Sequence, residues 1–315
     1  MTEIRRGQLF TRAENNPILT PAAWPYTVNT VFNPGATVTD SGETVLLVRV
    51  EDRSGLSHLT VARSRDGITD WQIDHHPTIE ARPSVYQERL GIEDPRITRI
   101  GDEYMIACTG LSPGGPQVCL TSTRDFADFR PLQAVTTPED KDAALFPVKF
   151  GGRFAMIHRP VSPWSREGAH IWLAFSPDLV HWGDHHLLIA TRPHAGQWDQ
   201  EKVGLGPPPL QTEHGWLILF HGVKSTAAGL LYRAGLALLD LNDPTVVKAR
   251  SSEWVIGPEA PYERTGDVPG VVFPTGWITD PDGNLRLYYG AADTCIGLAF
   301  ARVSDLVDFT LSHAV

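Results

Sequence analysis

The sequence predicts an all-β fold, a five-bladed β-propeller, on three observations. Helical periodicity is nearly absent, and short apolar runs alternate with Gly, Pro, Asp and Asn. A proline-bearing run recurs five times, with Pro34, Pro95, Pro147, Pro209 and Pro274 spaced 61, 52, 62 and 65 residues apart. A run closing on an acid recurs in step, its Asp66, Asp125, Asp178, Asp240 and Asp305 spaced 59, 53, 62 and 65 apart.

Between the two markers each unit holds an alternating strand: GETVLLVRV, GDEYMIACTG, GGRFAMIHRP, HGWLILFHGV and NLRLYYGAAD. Four short antiparallel strands cannot bury both faces alone, and radial repetition covers them while protecting their edges. A solenoid of the same spacing calls for shorter repeats and capping units, neither of which is present. The expected organisation is one domain over residues 1–315, with residues 1–25 as an N-terminal extension. That extension either closes the ring or packs across a neighbouring subunit of a homo-oligomer.

In a propeller the first strand of each blade lines the central channel. The residues before the marker prolines, Asn33, Asp94, Phe146, Pro208 and Phe273, are therefore expected at equivalent inner positions. Only Asp94 among them is charged. It is expected alone in a partly desolvated funnel, with its pKa raised enough to hold a proton near neutral pH. Glu93, one residue earlier on the strand, points to the other side or to the rim. The second strands end in Arg49, Thr109, Arg159, His221 and Asp293, a polar set expected to converge on one mouth. Rings close to these positions (Trp24, Phe32, Trp164, Trp198, Tyr288, Tyr289) suit a sugar site, with several of them expected in the core.

Composition narrows the partners. The net charge of −10, with no long block of one sign, argues against nucleic acid and anionic membranes. No apolar run is long enough to span a bilayer, and MTEIRRGQLFTRAENN lacks a signal-peptide core, so a cytoplasmic protein is expected. Cys108, Cys119 and Cys295 lie in apolar runs and are expected as core thiols. The pairs His75–His76 and His185–His186 point to opposite faces of a strand and are expected in solvent, so no metal site is foreseen. SPGGP at 112–116 reads as a turn, and no Walker or dinucleotide fingerprint is present.

An ordered set of motifs resembles glycoside hydrolase family 130. The set runs NPIL (16–19), VFNPGA (31–36), LLVRV (46–50), SRDG (64–67), GIEDPRIT (91–98), LFPVKFGGRF (145–154) and IHRP (157–160). It continues through SPDLVHW (176–182), KVGLGPPP (202–209), GWLILFHGV (215–223), LLDLNDP (238–244), VVFPTGWI (271–278) and YYGAADT (288–294). The resemblance implies inverting mannoside phosphorylases or β-1,2-mannosidases on a five-bladed propeller. It implies that Asp94 is the proton donor, acting through a hydroxyl of the bound mannose. Asn33, Arg49, Arg65, Glu93, Lys141, Asp142, Arg159, Glu263 and Asp293 would bind the sugar. Lys202 and His221, with Arg159, match the place of phosphate or another nucleophile.

Whether that nucleophile is phosphate or water turns on the patch opposite Asp94. A phosphate dianion calls for several cationic donors and no competing carboxylate. The family's phosphorylases usually carry Arg-Asn before the LFP run, where this chain has Lys141-Asp142. Glu201, in WDQEKVG, is a candidate base for a hydrolytic water, with Glu263 a second acid that could equally be structural. Two intruding carboxylates tip the expectation to hydrolysis of β-mannosides such as β-1,2-linked manno-oligosaccharides. Phosphorolysis releasing mannose 1-phosphate is the alternative, with inorganic phosphate as co-substrate and otherwise no cofactor. A propeller lectin would repeat its sugar contacts in every blade, and an arabinanase-like hydrolase would place an Asp base where this chain has Asn33.

Overall fold

The computed structural model describes residues 9–162, 168–194, 196–227 and 229–315. Trp164 lies outside them. The strands form five antiparallel sheets, the blades of a β-propeller. The first blade is Thr30–Val38, Thr44–Glu51, Ser57–Ser64 and Gln72–Ile73, and the second is Ile92–Ile100, Glu103–Ser112, Gly115–Thr123 and Gln133–Ala134. The third blade is Asp140–Leu145, Phe154–Pro160, Ile171–Ser176 and Gly183–Ile189. In the fourth, two inner pieces, Lys202–Leu205 and Leu210–Thr212, pair with Gly215–Thr226, followed by Gly229–Leu239 and Val247–Arg250. The break between those pieces coincides with Pro207, Pro208 and Pro209, which have no N–H to give a ladder.

The fifth blade takes its outer strand from the start of the chain. Val272–Thr279, Asn284–Ala291 and Cys295–Arg302 are joined by Thr11–Arg12, with Thr11 opposite Phe300 and Arg12 opposite Ala299. The N-terminal segment thus closes the ring on its own chain. The core lies between blades: Val31, Leu46, Val48 and Val50 of the first pack with Tyr288, Ile296 and Leu298 of the fifth. Among the described residues no helix is long and apolar enough to cross a membrane.

Both sequence markers have a physical cause. Asp66, Asp125, Asp178 and Asp240 each follow a third strand, and one carboxylate oxygen of each accepts two backbone N–H groups within the next three residues. The repeated acid is a turn former, because a short acceptor side chain closes the backbone on itself. Asp305 departs from the set and sits in the helix Val303–Ser312. Pro34 and Pro95 mark bulges. The ladder slips between Phe32 and Gly35 and between Glu93 and Arg96, so that Pro34 and Pro95 need no partner.

The same slip recurs between Lys141 and Ala144, ahead of the marker proline of the third blade. This corrects the expected equivalence. Asn33, Asp94 and Asp142 occupy matching bulges with φ of 46°, 50° and 53°. Asn and Asp tolerate this left-handed region better than most residues. Asp142, not Phe146, is therefore the counterpart of Asp94, and the inner positions carry two acids rather than one. In the fifth blade the slip falls between Pro274 and Gly276. Asp293 lies past the end of Asn284–Ala291, in the turn before Cys295, and reaches the mouth from a left-handed conformation with φ of 48°.

Candidate active site

One cavity of about 460 Å³ opens at the channel mouth. It gathers Asn33, Arg49, Asp94, Lys141, Asp142, Arg159, Glu201, Lys202, His221 and Asp293 from all five blades. The left-handed bulges turn Asn33, Asp94 and Asp142 inward, and the ends of the second strands bring Arg49, Arg159 and His221 beside them. Register accounts for the meeting: Arg49 lies opposite Phe32, Arg159 opposite Lys141 and His221 opposite Gly204.

Asp94 is 2 % exposed. Its Oδ1 accepts Nδ2 of Asn33 at 2.9 Å and Nη1 of Arg49 at 3.1 Å. Burial alone would raise its pKa, but Arg49, Lys141, Arg96 and the Asn33 hydrogen bond outweigh it, so the carboxyl titrates below the usual Asp range. The expected raised pKa is thereby corrected. Glu93 lies outside the cavity lining, bonded to Nη2 of Arg49 at 2.9 Å, with Nζ of Lys141 4.0 Å away. Burial raises its pKa against the pull of both cations. Asp293 is pushed up to about 7, chiefly by burial, with Arg49 opposing and Asp94 and Glu51 reinforcing.

Asp142, on the next blade, is fully buried. Nε of Arg159 donates to its Oδ2 at 2.6 Å, Nη2 of Arg96 approaches its Oδ1 at 3.4 Å, and Nε2 of His221 lies 3.6 Å from Oδ2. Burial works against its charge, yet these cations hold its pKa far below the usual range. The neutralising partners are thus two arginines, whereas Lys141 lies 4.0 Å from Glu93. His221 falls to about 3, from burial first, with Asp142 opposing and Arg159 and Arg96 repelling its charge. It is a neutral ring and not one of the cations. Asp140 braces this side, with Oδ2 on Nδ1 of His158 at 2.7 Å and Oδ1 on the N–H of Arg159 at 3.2 Å.

Besides Glu93, two more expected sugar contacts lie elsewhere. Arg65 is exposed just past Ser64, which pairs with Thr44 at the end of the blade away from Arg49. Glu263 is buried in the ring closure, where it accepts Nε and Nη2 of Arg12 at 2.7 and 2.9 Å, the hydroxyl of Tyr289 at 2.8 Å and two backbone N–H groups. Its structural reading prevails. Glu201 lines the cavity with Oε1 on the N–H of Ser225 at 3.1 Å.

Of the rings expected near the site, Trp24, Phe32, Trp198, Tyr288 and Tyr289 are buried core, and among the described residues Tyr232 and Phe273 line the cavity. His185 is exposed, with its ring centroid 5.4 Å from that of His158. Sequence reasoning missed Tyr232, Glu139 and Arg96. The first two lie in no recurring marker. Arg96, inside GIEDPRIT, is fully buried and bonds the carbonyls of Asp94, Leu205 and Gly206, tying two blades at the axis.

A ring of five blades with carboxylates and arginines converging on one funnel defines a carbohydrate-active enzyme. A family model described as beta-1,4-mannooligosaccharide phosphorylase matches residues 10–312, and the chain belongs to glycoside hydrolase family 130. It is 39 % identical over 258 residues to a beta-1,2-mannobiose phosphorylase of Listeria innocua, covering 81 % of this chain and 69 % of that one. A beta-1,4-mannooligosaccharide phosphorylase of Ruminococcus albus is 32 % identical, covering 96 % and 91 %. A solved structure of the Listeria innocua beta-1,2-mannobiose phosphorylase with beta-1,2-mannobiose superposes with a TM-score of 0.87 at 31 % identity, over 96 % of this chain and 99 % of that chain. A solved structure from the group of family 130 glycoside hydrolases that target beta-1,2 mannosidic linkages in Candida mannan superposes with a TM-score of 0.81 at 27 % identity, over 94 % of each chain.

Proposed function

We propose that the chain is an inverting phosphorylase of β-mannosides, with β-1,2-linked manno-oligosaccharides as substrate and inorganic phosphate as the attacking group. The observation that carries this reading is the neutralisation of Asp142. Asp142, a carboxylate that would repel phosphate, is bonded to Arg159 and faced by Arg96, while Lys202 and the neutral His221 line the same cavity. Asp94 lines the same cavity from the second blade, with its Oδ1 taken by Asn33 and Arg49. An inverting displacement needs an acid on one face of the sugar and a nucleophile on the other.

The step balances without further reactants. A phosphate oxygen bonds to the anomeric carbon as the bond from that carbon to the bridging oxygen breaks. The departing sugar takes a proton that Asp94 delivers through a mannose hydroxyl. The proton of hydrogen phosphate makes good the one consumed. Filling the funnel with a neutral sugar strips the remaining water from Asp94, which disfavours its charge, so protonation accompanies substrate binding.

Hydrolysis, expected from the sequence, has less behind it. The named curated relatives are phosphorylases, and Glu201, its candidate base, has one oxygen tied to a backbone N–H. The test is β-1,2-mannobiose incubated with and without phosphate. The proposal expects mannose 1-phosphate by phosphorus NMR and no turnover in phosphate-free buffer. Mannose released at the same rate without phosphate would overturn it.

A further inference from the structure

Asn33 sits in the left-handed bulge of the first blade, 3 % exposed. Its Nδ2 and Nη1 of Arg49 both donate to Oδ1 of Asp94. Among the described residues no donor reaches Oδ2 of Asp94, and that oxygen is not one of the closed-off unpartnered atoms. Oδ1 of Asn33 is closed off in just that way, buried without a partner. It lies over Gly290, where an added Cβ would stand 1.9 Å from Oδ1 and 2.9 Å from the backbone N of Asn33. The amide cannot sit there beside any larger residue.

We propose that Asn33 is a positioning residue that acts through Asp94, with Gly290 as the space that admits it. Two donors on Oδ1 leave Oδ2 as the seat of the exchangeable proton, and Oδ2 is the oxygen presented to the cavity. An acceptor-only carboxylate oxygen also dictates which way the amide points, since Asn33 must offer its NH₂ and turn its carbonyl to Gly290. Asn33 thus fixes where the proton resides and favours the ionised form. The inference rests on the reading of Asp94 as proton donor.

The test is Asn33→Gly, which removes the amide while keeping a residue at ease with positive φ. Loss of a hydrogen bond to the charged form raises the pKa, so the alkaline limb of the kcat profile moves up by about one pH unit. KM for the mannoside stays within about twofold and kcat falls severalfold, because the proton is shared between two oxygens. Gly290→Ala reproduces the limb shift if it folds. Should it not fold, carboxyl-carbon NMR titration of the Asn33→Gly enzyme, assigned with Asp94→Asn, reads the same shift without turnover. An unmoved limb with a raised KM would make Asn33 a sugar ligand and overturn the inference. The two readings separate cleanly: full activity in Asp94→Asn sinks the donor itself, whereas an inactive Asp94→Asn beside an unshifted Asn33→Gly sinks only the role of Asn33.

Discussion

Arg159 donates from Nε to Oδ2 of Asp142 at 2.6 Å, and both side chains are buried. A buried pair of this kind is poor evidence for stability but costly to break from one side. Here it also sets the charge of the patch that faces the proposed phosphate. Asp142→Asn removes the counter-charge and leaves Arg159 and Arg96 to the incoming anion. Without phosphate the variant should lose about 3 kcal/mol of stability and melt earlier. Added phosphate should raise its melting temperature more than it raises that of the unaltered protein. Equal phosphate effects would mean that Asp142 does not govern the patch.

Asp94→Asn should reduce kcat at least about 100-fold, the usual scale of a lost general acid. The fold should survive, because Asn is at home at a φ of 50° and still offers Arg49 an oxygen. Steady-state kinetics with circular dichroism on the same sample checks both halves.

Asp293 should make stability fall as pH rises. Its carboxyl titrates near 7 in the folded protein and near 4 when unfolded, so the folded state holds an extra proton between those values. The folded state's advantage, complete below the unfolded pKa, is therefore lost progressively from about pH 4 to 7. Asp293→Asn should flatten this slope and melt higher than the parent at pH 8. Parallel melting curves from pH 5 to 8 would contradict the assignment.

Arg12 and Glu263 latch the ring shut at Thr11–Arg12. Glu263→Gln should cost roughly 2 kcal/mol in urea unfolding, because the half-buried Arg12 loses its charged partner. KM for phosphate should not move, since neither residue lines the cavity. A change in KM with unaltered stability would return Glu263 to the site.

The architecture was legible because its cause is local. Prolines such as Pro34 and Pro95 sit where the inner ladder slips, and acids such as Asp66 and Asp178 close turns on their own backbone, so both mark the blades where they recur. Asp94, Arg49, Arg159 and His221 could be gathered from strand position alone. Side-chain partners could not, because they depend on register between blades that only packing fixes. Asp142 was misplaced by one proline, since its bulge lies five residues ahead of Pro147 rather than beside it. Glu263 looked like a site acid because nothing in PYER announces that Arg12, some 251 residues away, occupies it. The direction of the Asp94 shift was missed for a related reason: burial was foreseen, and the cations around it were not counted.

Running the reaction backwards tests the central claim most directly. Supplied with mannose 1-phosphate and mannose, the enzyme should form a β-linked disaccharide and release one phosphate for each linkage made. Free mannose accumulating from mannose 1-phosphate, or no product alongside ready cleavage of mannobiose in phosphate-free buffer, would contradict it.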